Sequence, residues 1–154
     1  MIIGMLASMA IPRLSRGTEG SAAMALAADL KIVRHALITY AAEHNNAFPG
    51  ATADRVVAQL TQYSNRTGGT SASKGGAYLF GPYLLRIPPC PVGPNSGSSD
   101  ILIDAANSPP QVKTSGGEGW VYNPNTGEFI ANADGGDAAK INAGAGAFAF
   151  DGSN

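Results

Sequence analysis

The sequence predicts an α+β protein in which one long N-terminal α-helix, its apolar first half projecting, packs against a small antiparallel β-sheet. Three stretches carry this expectation. Met1 to Pro12 holds no charged residue. Leu26, Leu30, Val33, Leu37, Tyr40 and His44 recur at alternating steps of four and three, the spacing of one helix face. Trp120 to Tyr122 and Glu128 to Ala131 flank Asn123-Pro124-Asn125-Thr126-Gly127, where proline pre-sets the first turn residue and Gly127 supplies a left-handed position.

The opening run, MIIGMLASMAIP, is too short to cross a bilayer alone, since twelve helical residues reach only about 18 Å of a core about 30 Å thick. It also lacks the basic residues that precede a signal peptide's apolar core. It reads as the second half of a longer apolar helix. Ile2, Ile3, Met5, Leu6, Met9, Ile11 and Leu14 would each gain roughly 1.5–3 kcal/mol on leaving water, which makes their joint exposure untenable beside a fold stability of about 5–15 kcal/mol. Gly4, Ala7, Ser8 and Ala10 would let such helices approach one another closely.

Alanine-rich sequence on both sides of Gly17 and Gly20 allows residues 1–46 to form one helix, bent near Pro12 and roughly 65–70 Å long. A single core cannot cover that length, so residues 1–24 are assigned to assembly or membrane contact and residues 25–154 to a globular body. Asn45 and Asn46 end the helix and Pro49-Gly50 forbid its continuation. Val56, Val57 and Leu60 predict a short second helix over Thr52–Gln62. SNRTGGTSASKGG is a polar loop, AYLFGPYLLRIPPCP an extended segment stiffened by proline, and SDILIDA a strand. In the Gly/Ala-rich region after Gly135, Ile141, Phe148 and Phe150 are the large anchors, and the last two suit one face of a terminal strand. The predicted helix–sheet core is Leu26, Leu30, Val33, Leu37 and Tyr40 against Trp120, Tyr122 and Phe129.

The chain has 154 residues, which suits one domain, and 20 glycines with 10 prolines call for a body rich in turns. Its net charge of −1, with no basic block, argues against nucleic acid as a partner. Cys90 is the single cysteine, so it closes no internal disulfide and anchors no zinc site.

The residues IIGMLASMAIPRLS, FGPYLLRIPPCPVG and GWVYNPNTGEFIAN together resemble the type IV pilin and type II secretion pseudopilin family, in particular G-type, major pseudopilin-like subunits. The resemblance implies a pilin-like fold and a structural subunit that polymerises into a helical pilus or secretion pseudopilus. Ile2, Ile3, Gly4, Met5, Leu6, Met9, Ile11, Pro12 and Leu14 would then pack in the filament core. It further implies residence in the bacterial inner membrane as a monomer, contact with lipid, assembly machinery and a prepilin peptidase, and a periplasmic or cell-surface filament after assembly. The family's basic leader, N-methylated aromatic residue and nearby glutamate are not in the sequence, and the resemblance places them upstream of Met1. A late calcium loop in G-type pseudopilins points to Asp134 and Asp137 of NADGGD, with Asn132, as oxygen ligands; the plainer reading is a solvated acidic turn. The competing function is a monotopic, membrane-anchored module that binds a ligand through its glycine-rich loops.

No enzyme is expected. Ser71-x-x-Lys74 matches the spacing of serine acylases, and KTSG at Lys113 nearly matches their second motif, but glycines around Lys74 argue for loop rather than helix. GAGAFA from Gly144 has no room for a strand–helix–strand unit after it. His35 and His44 are nine positions apart, on opposite helix faces, and cannot share a metal. His44 is expected at the last helical carbonyls and His35 in solvent. Asn65-Arg66-Thr67 is a formal glycosylation sequon in a surface loop.

Overall fold

The computed structural model describes residues 11–50 and 52–144, with side chains from Gly20 onward. The protein is α+β. Helix α1 runs unbroken from Ile11 to Glu43, through Pro12, Gly17 and Gly20. It stops where Asn45 and Asn46 take positive φ of 58° and 62°, and the Asn46 amide bonds back to the Ala41 carbonyl at 2.8 Å. Asparagine tolerates that left-handed geometry better than most residues, and the sequence provides two. Ile2, Ile3, Gly4, Met5, Leu6 and Met9 lie outside the described residues. Ile11, Pro12 and Leu14 fall on α1, their side chains again outside the description.

Helix α2 (Ala53–Thr61) buries Val56 and Leu60. The loop after it is more ordered than its composition suggests, since β1 (Tyr63–Ser64) and β2 (Thr70–Ser71) pair antiparallel and Ser64 also bridges to Phe80. Strands β3 (Ile101–Ile103), β4 (Trp120–Tyr122) and β5 (Phe129–Ala131) form the main sheet, in the order β3-β4-β5. The β4–β5 pair is the expected hairpin, with Trp120 opposite Ala131 and Tyr122 opposite Phe129. Gly127 has φ 74°, and a Cβ there would meet the Phe48 ring at 2.4 Å, so the turn geometry and the packing both require glycine.

The expectation of an antiparallel sheet needs correction. Strand β3 pairs parallel to β4, with Ile101 opposite Trp120. The reason is the long excursion over residues 104–119, which returns the chain to its starting end, whereas a tight turn would have reversed it. A further element, α3 (Gly136–Ala143), occupies the start of the Gly/Ala-rich region. Alanine and lysine are strong helix formers, and Asp137 in its first turn suits the positive helix end. Phe148 and Phe150 lie outside the described residues.

One apolar cluster joins these parts. Leu26, Leu30, Val33, Leu37 and Tyr40 line one face of α1, and meet Trp120, Tyr122, Phe129, Val56, Leu60 and Ile101. Trp120 sits against Phe129 with ring centroids 5.1 Å apart, while its indole N–H donates to the Pro88 carbonyl at 2.8 Å. The opposite sheet face is smaller: Val121 and Ile130 are covered by Leu102 and Val112.

Candidate functional site

Helix α1 divides into two regimes. From Leu26 to Tyr40 one stripe is fully buried, but among the described side chains between Gly20 and Ala25 none is, and Met24 is 76% exposed. The helical backbone continues N-terminally to Ile11, fifteen residues ahead of Leu26, or about 22 Å of helix at 1.5 Å per residue. No helix among the described residues is long and apolar enough to cross a membrane.

The outer face of the packed half of α1 is basic. Lys31, Arg34 and His35 lie on one exposed surface with Ala27 and Ile38. Arg34 is half-buried and donates through Nη2 to the Phe129 carbonyl at 3.0 Å, covering the free edge of β5. Burial pulls its pKa down, and its Nε is buried without a hydrogen-bond partner. At the other edge of the sheet, a recess at the start of β3 is lined by Asp54, Asp100 and Glu118 together with Ala53 and Val57. Arg55 does not neutralise this recess directly, because its side chain lies over Gly50. Among the described residues one ion pair forms, Lys140 with Asp137 at 3.3 Å.

A third surface is a groove of about 700 Å³ between α1 and the proline-rich segment, lined by Asp29, Ile32, Leu84, Leu85, Pro88 and Cys90 among others. Leu85 is 96% exposed and Ile32 54%. Desolvation raises the Asp29 pKa. Cys90 is buried and its thiol is pushed up by burial, which disfavours the nucleophilic thiolate.

His44 reaches further than its expected place at the helix end. Nδ1 lies 2.8 Å from the Tyr40 carbonyl, while Nε2 lies 2.9 Å from the Asn65 carbonyl and 3.1 Å from the Ser64 hydroxyl. The ring stacks on Tyr40 at 3.8 Å, so it clasps the end of α1 to β1. Beside it the Tyr83 hydroxyl donates to the Glu43 carboxylate, and desolvation, reinforced by that carboxylate, drives the phenol's pKa upward. His35 stands exposed on the opposite face.

The remaining sequence motifs are dispersed. Ser71 donates to the Ser73 carbonyl and accepts from its amide, a local turn, while Lys74 is exposed. Lys113-Thr114-Ser115-Gly116 leads into a single 3-10 turn. Asn65 turns its Oδ1 inward to the Thr67 and Gly69 amides. Asp134 and Asp137 are both exposed, and Asp137 is already engaged by Lys140. Among the described residues no group of three or more His, Cys, Asp or Glu side chains stands close enough to hold a metal.

Sequence reasoning missed the asparagine side chains that complete the sheet. Asn132 accepts from the Lys113 amide at 2.7 Å and donates to its carbonyl at 2.8 Å, and Asn142 does the same for Ala131 at 3.0 and 2.9 Å. Each primary amide imitates the paired N–H and C=O of a neighbouring strand. The available signal was Asn132, standing directly after the predicted strand Glu128–Ala131; Asn142 lies within α3, which the sequence reading did not place. Comparison of the chain with protein families, characterised proteins and solved structures finds no match.

Proposed function

We propose that the protein is a structural subunit that polymerises into a helical, type IV pilus-like or type II pseudopilus-like filament through its apolar N-terminal helix. The observation that carries this reading is the two-regime helix: α1 begins at Ile11, fifteen residues before Leu26, the first fully buried side chain among those described, and the sequence leading into it is apolar. A helix apolar on several sides requires lipid or other helices around it. The monomer would wait in the inner membrane, and the assembled filament would stand in the periplasm or at the cell surface. Lateral contact between unlike patches that does not close into a ring gives a helical fibre. The resemblance of IIGMLASMAIPRLS and GWVYNPNTGEFIAN to pilins and pseudopilins adds to it.

The test is to purify the full chain in detergent, add phospholipid, remove the detergent slowly and inspect the product by electron microscopy. Filaments of uniform diameter support the reading. A product confined to vesicle-bound monomers would instead favour a membrane-tethered binding module.

A further inference from the structure

We infer that neighbouring copies of this chain contact each other through their bodies, the basic face of α1 on one copy meeting the acidic recess at the start of β3 on the next. The inference rests on the filament reading for the presence of a second copy, and on charge and topology for the contact itself.

The two patches are opposite in sign. Lys31 and His35 are exposed and Arg34 half-exposed on one; Asp54 and Asp100 are exposed and Glu118 half-exposed on the other. None of the four carboxylates and ammonium or guanidinium groups among Lys31, Arg34, Asp54 and Asp100 is paired within its own described fold, where Lys140 with Asp137 is the one ion pair. The patches cannot meet within one chain. Arg34 is fixed to the Phe129 carbonyl of β5, whereas Asp100 lies just before β3, its backbone carbonyl accepting the Trp120 amide at 3.1 Å, and β4 stands between those two strands. They therefore occupy opposite edges of one sheet. A surface at one edge that complements the other edge is heterologous, so each bound copy offers a fresh patch to the next. Each patch also carries small or apolar residues within it, Ala27 and Ile38 on one side and Ala53 and Val57 on the other, which permits close approach. Opposed charge of this kind fixes register and rejects misaligned neighbours.

The full chain is tested in detergent micelles at low and high salt, with equal amounts of unlabelled and 15N-labelled copies treated with a carbodiimide. A Lys31–Asp100 or Lys31–Glu118 cross-link between a light and a heavy peptide is expected at low salt and lost at high salt. Lys31→Glu removes the reacting amine and serves as the blank; Asp100→Lys should lower the Lys31–Glu118 cross-link about tenfold, and combining the two substitutions should restore the yield to within about twofold through a link between the two exchanged side chains. Circular dichroism checks that every variant is folded. Failure of the double reversal to rescue overturns the contact. So does a Lys31–Glu118 yield that Asp100→Lys leaves unchanged, which would mean that the basic face meets a different anion such as a lipid headgroup. Absence of filaments after detergent removal, with the charge-rescued cross-link intact, would count against the filament reading and leave this contact standing.

Discussion

Asn142 holds Ala131 as a fourth strand would. The Ala131 amide donates to Asn142 Oδ1 at 3.0 Å, and Asn142 Nδ2 donates to the Ala131 carbonyl at 2.9 Å. Together with Arg34 on the Phe129 carbonyl, this covers the outer edge of β5 with side chains rather than backbone, and an edge so covered is a poor template for unplanned strand pairing.

Asn142→Ala should therefore cost about 1–3 kcal/mol, because two backbone groups lose their partners together. Hydrogen exchange at the Ala131 amide should accelerate while exchange at Val121 in the central strand changes less. Unchanged protection at Ala131 would contradict the strand-mimic role.

Leu37 is fully buried in the α1–sheet core. Leu37→Ala should destabilise the body by about 2–5 kcal/mol in chemical denaturation, the spread reflecting how far the site can collapse. A loss below about 1 kcal/mol would mean that α1 is not held by this stripe.

Tyr122 gives the body an alkaline limit. Burial, with a smaller contribution from Tyr40, raises its phenol well above the ordinary value of about 10, and its hydroxyl donates to the Pro49 carbonyl at 3.2 Å. A raised pKa means that the folded state keeps the proton after the unfolded chain has lost it. The associated stability is thus complete below about pH 10 and falls as pH rises beyond that. Tyr122→Phe should cost about 0.5–1.5 kcal/mol near neutrality and show a shallower alkaline decline in urea midpoints. Parallel declines for the two proteins would exclude Tyr122 as a source.

Asp104 sets a limit of the opposite sign. Its carboxylate accepts from the Gln111 amide at 2.9 Å, from Asn107 Nδ2 and from the Ala106 amide, and these bonds, led by Gln111, hold its pKa below the ordinary value. The stability it contributes is present above about pH 4 and is lost as pH falls through the depressed value. Asp104→Asn should weaken the fold by about 1–3 kcal/mol at neutral pH and flatten the acid limb of the stability curve. An unaltered acid limb would assign that limb to other carboxylates.

Leu6→Asp combined with Met9→Asp tests the proposed filament core. Unpaired carboxylates in an apolar interior are costly, so polymer should disappear while the circular dichroism of the body persists. Intact filaments at normal abundance would remove the N-terminal helix from that core.

The parts legible in the sequence were those set by local periodicity or turn chemistry. The Leu26–Tyr40 stripe declares itself by helical spacing, and the β4–β5 hairpin by Pro124 and Gly127, because both signals lie within a few residues of the structure they specify. The parallel pairing of β3 was not legible, since it depends on where residues 104–119 return the chain. Helix α3 was hidden because Asp137-Ala-Ala-Lys140 reads as low complexity until Ala138 and Ile141 find the core beside α1. The acidic recess was hidden for a related reason. Asp54, Asp100 and Glu118 come from three separate segments, and only the fold collects them around one recess.

The two-regime helix also determines how the molecule takes tension. If a filament is pulled along α1, the force enters through the N-terminal half and reaches the body along the Leu26, Leu30, Val33, Leu37 and Tyr40 stripe, which runs parallel to the pull. Detachment would then have to shear the whole stripe at once instead of opening it one residue at a time, and the His44 clasp to Asn65 and Ser64 anchors its far end. In single-molecule extension, a handle at the N-terminus paired with one on β4 should give a higher rupture force than a pair of handles that lifts α1 sideways from the sheet.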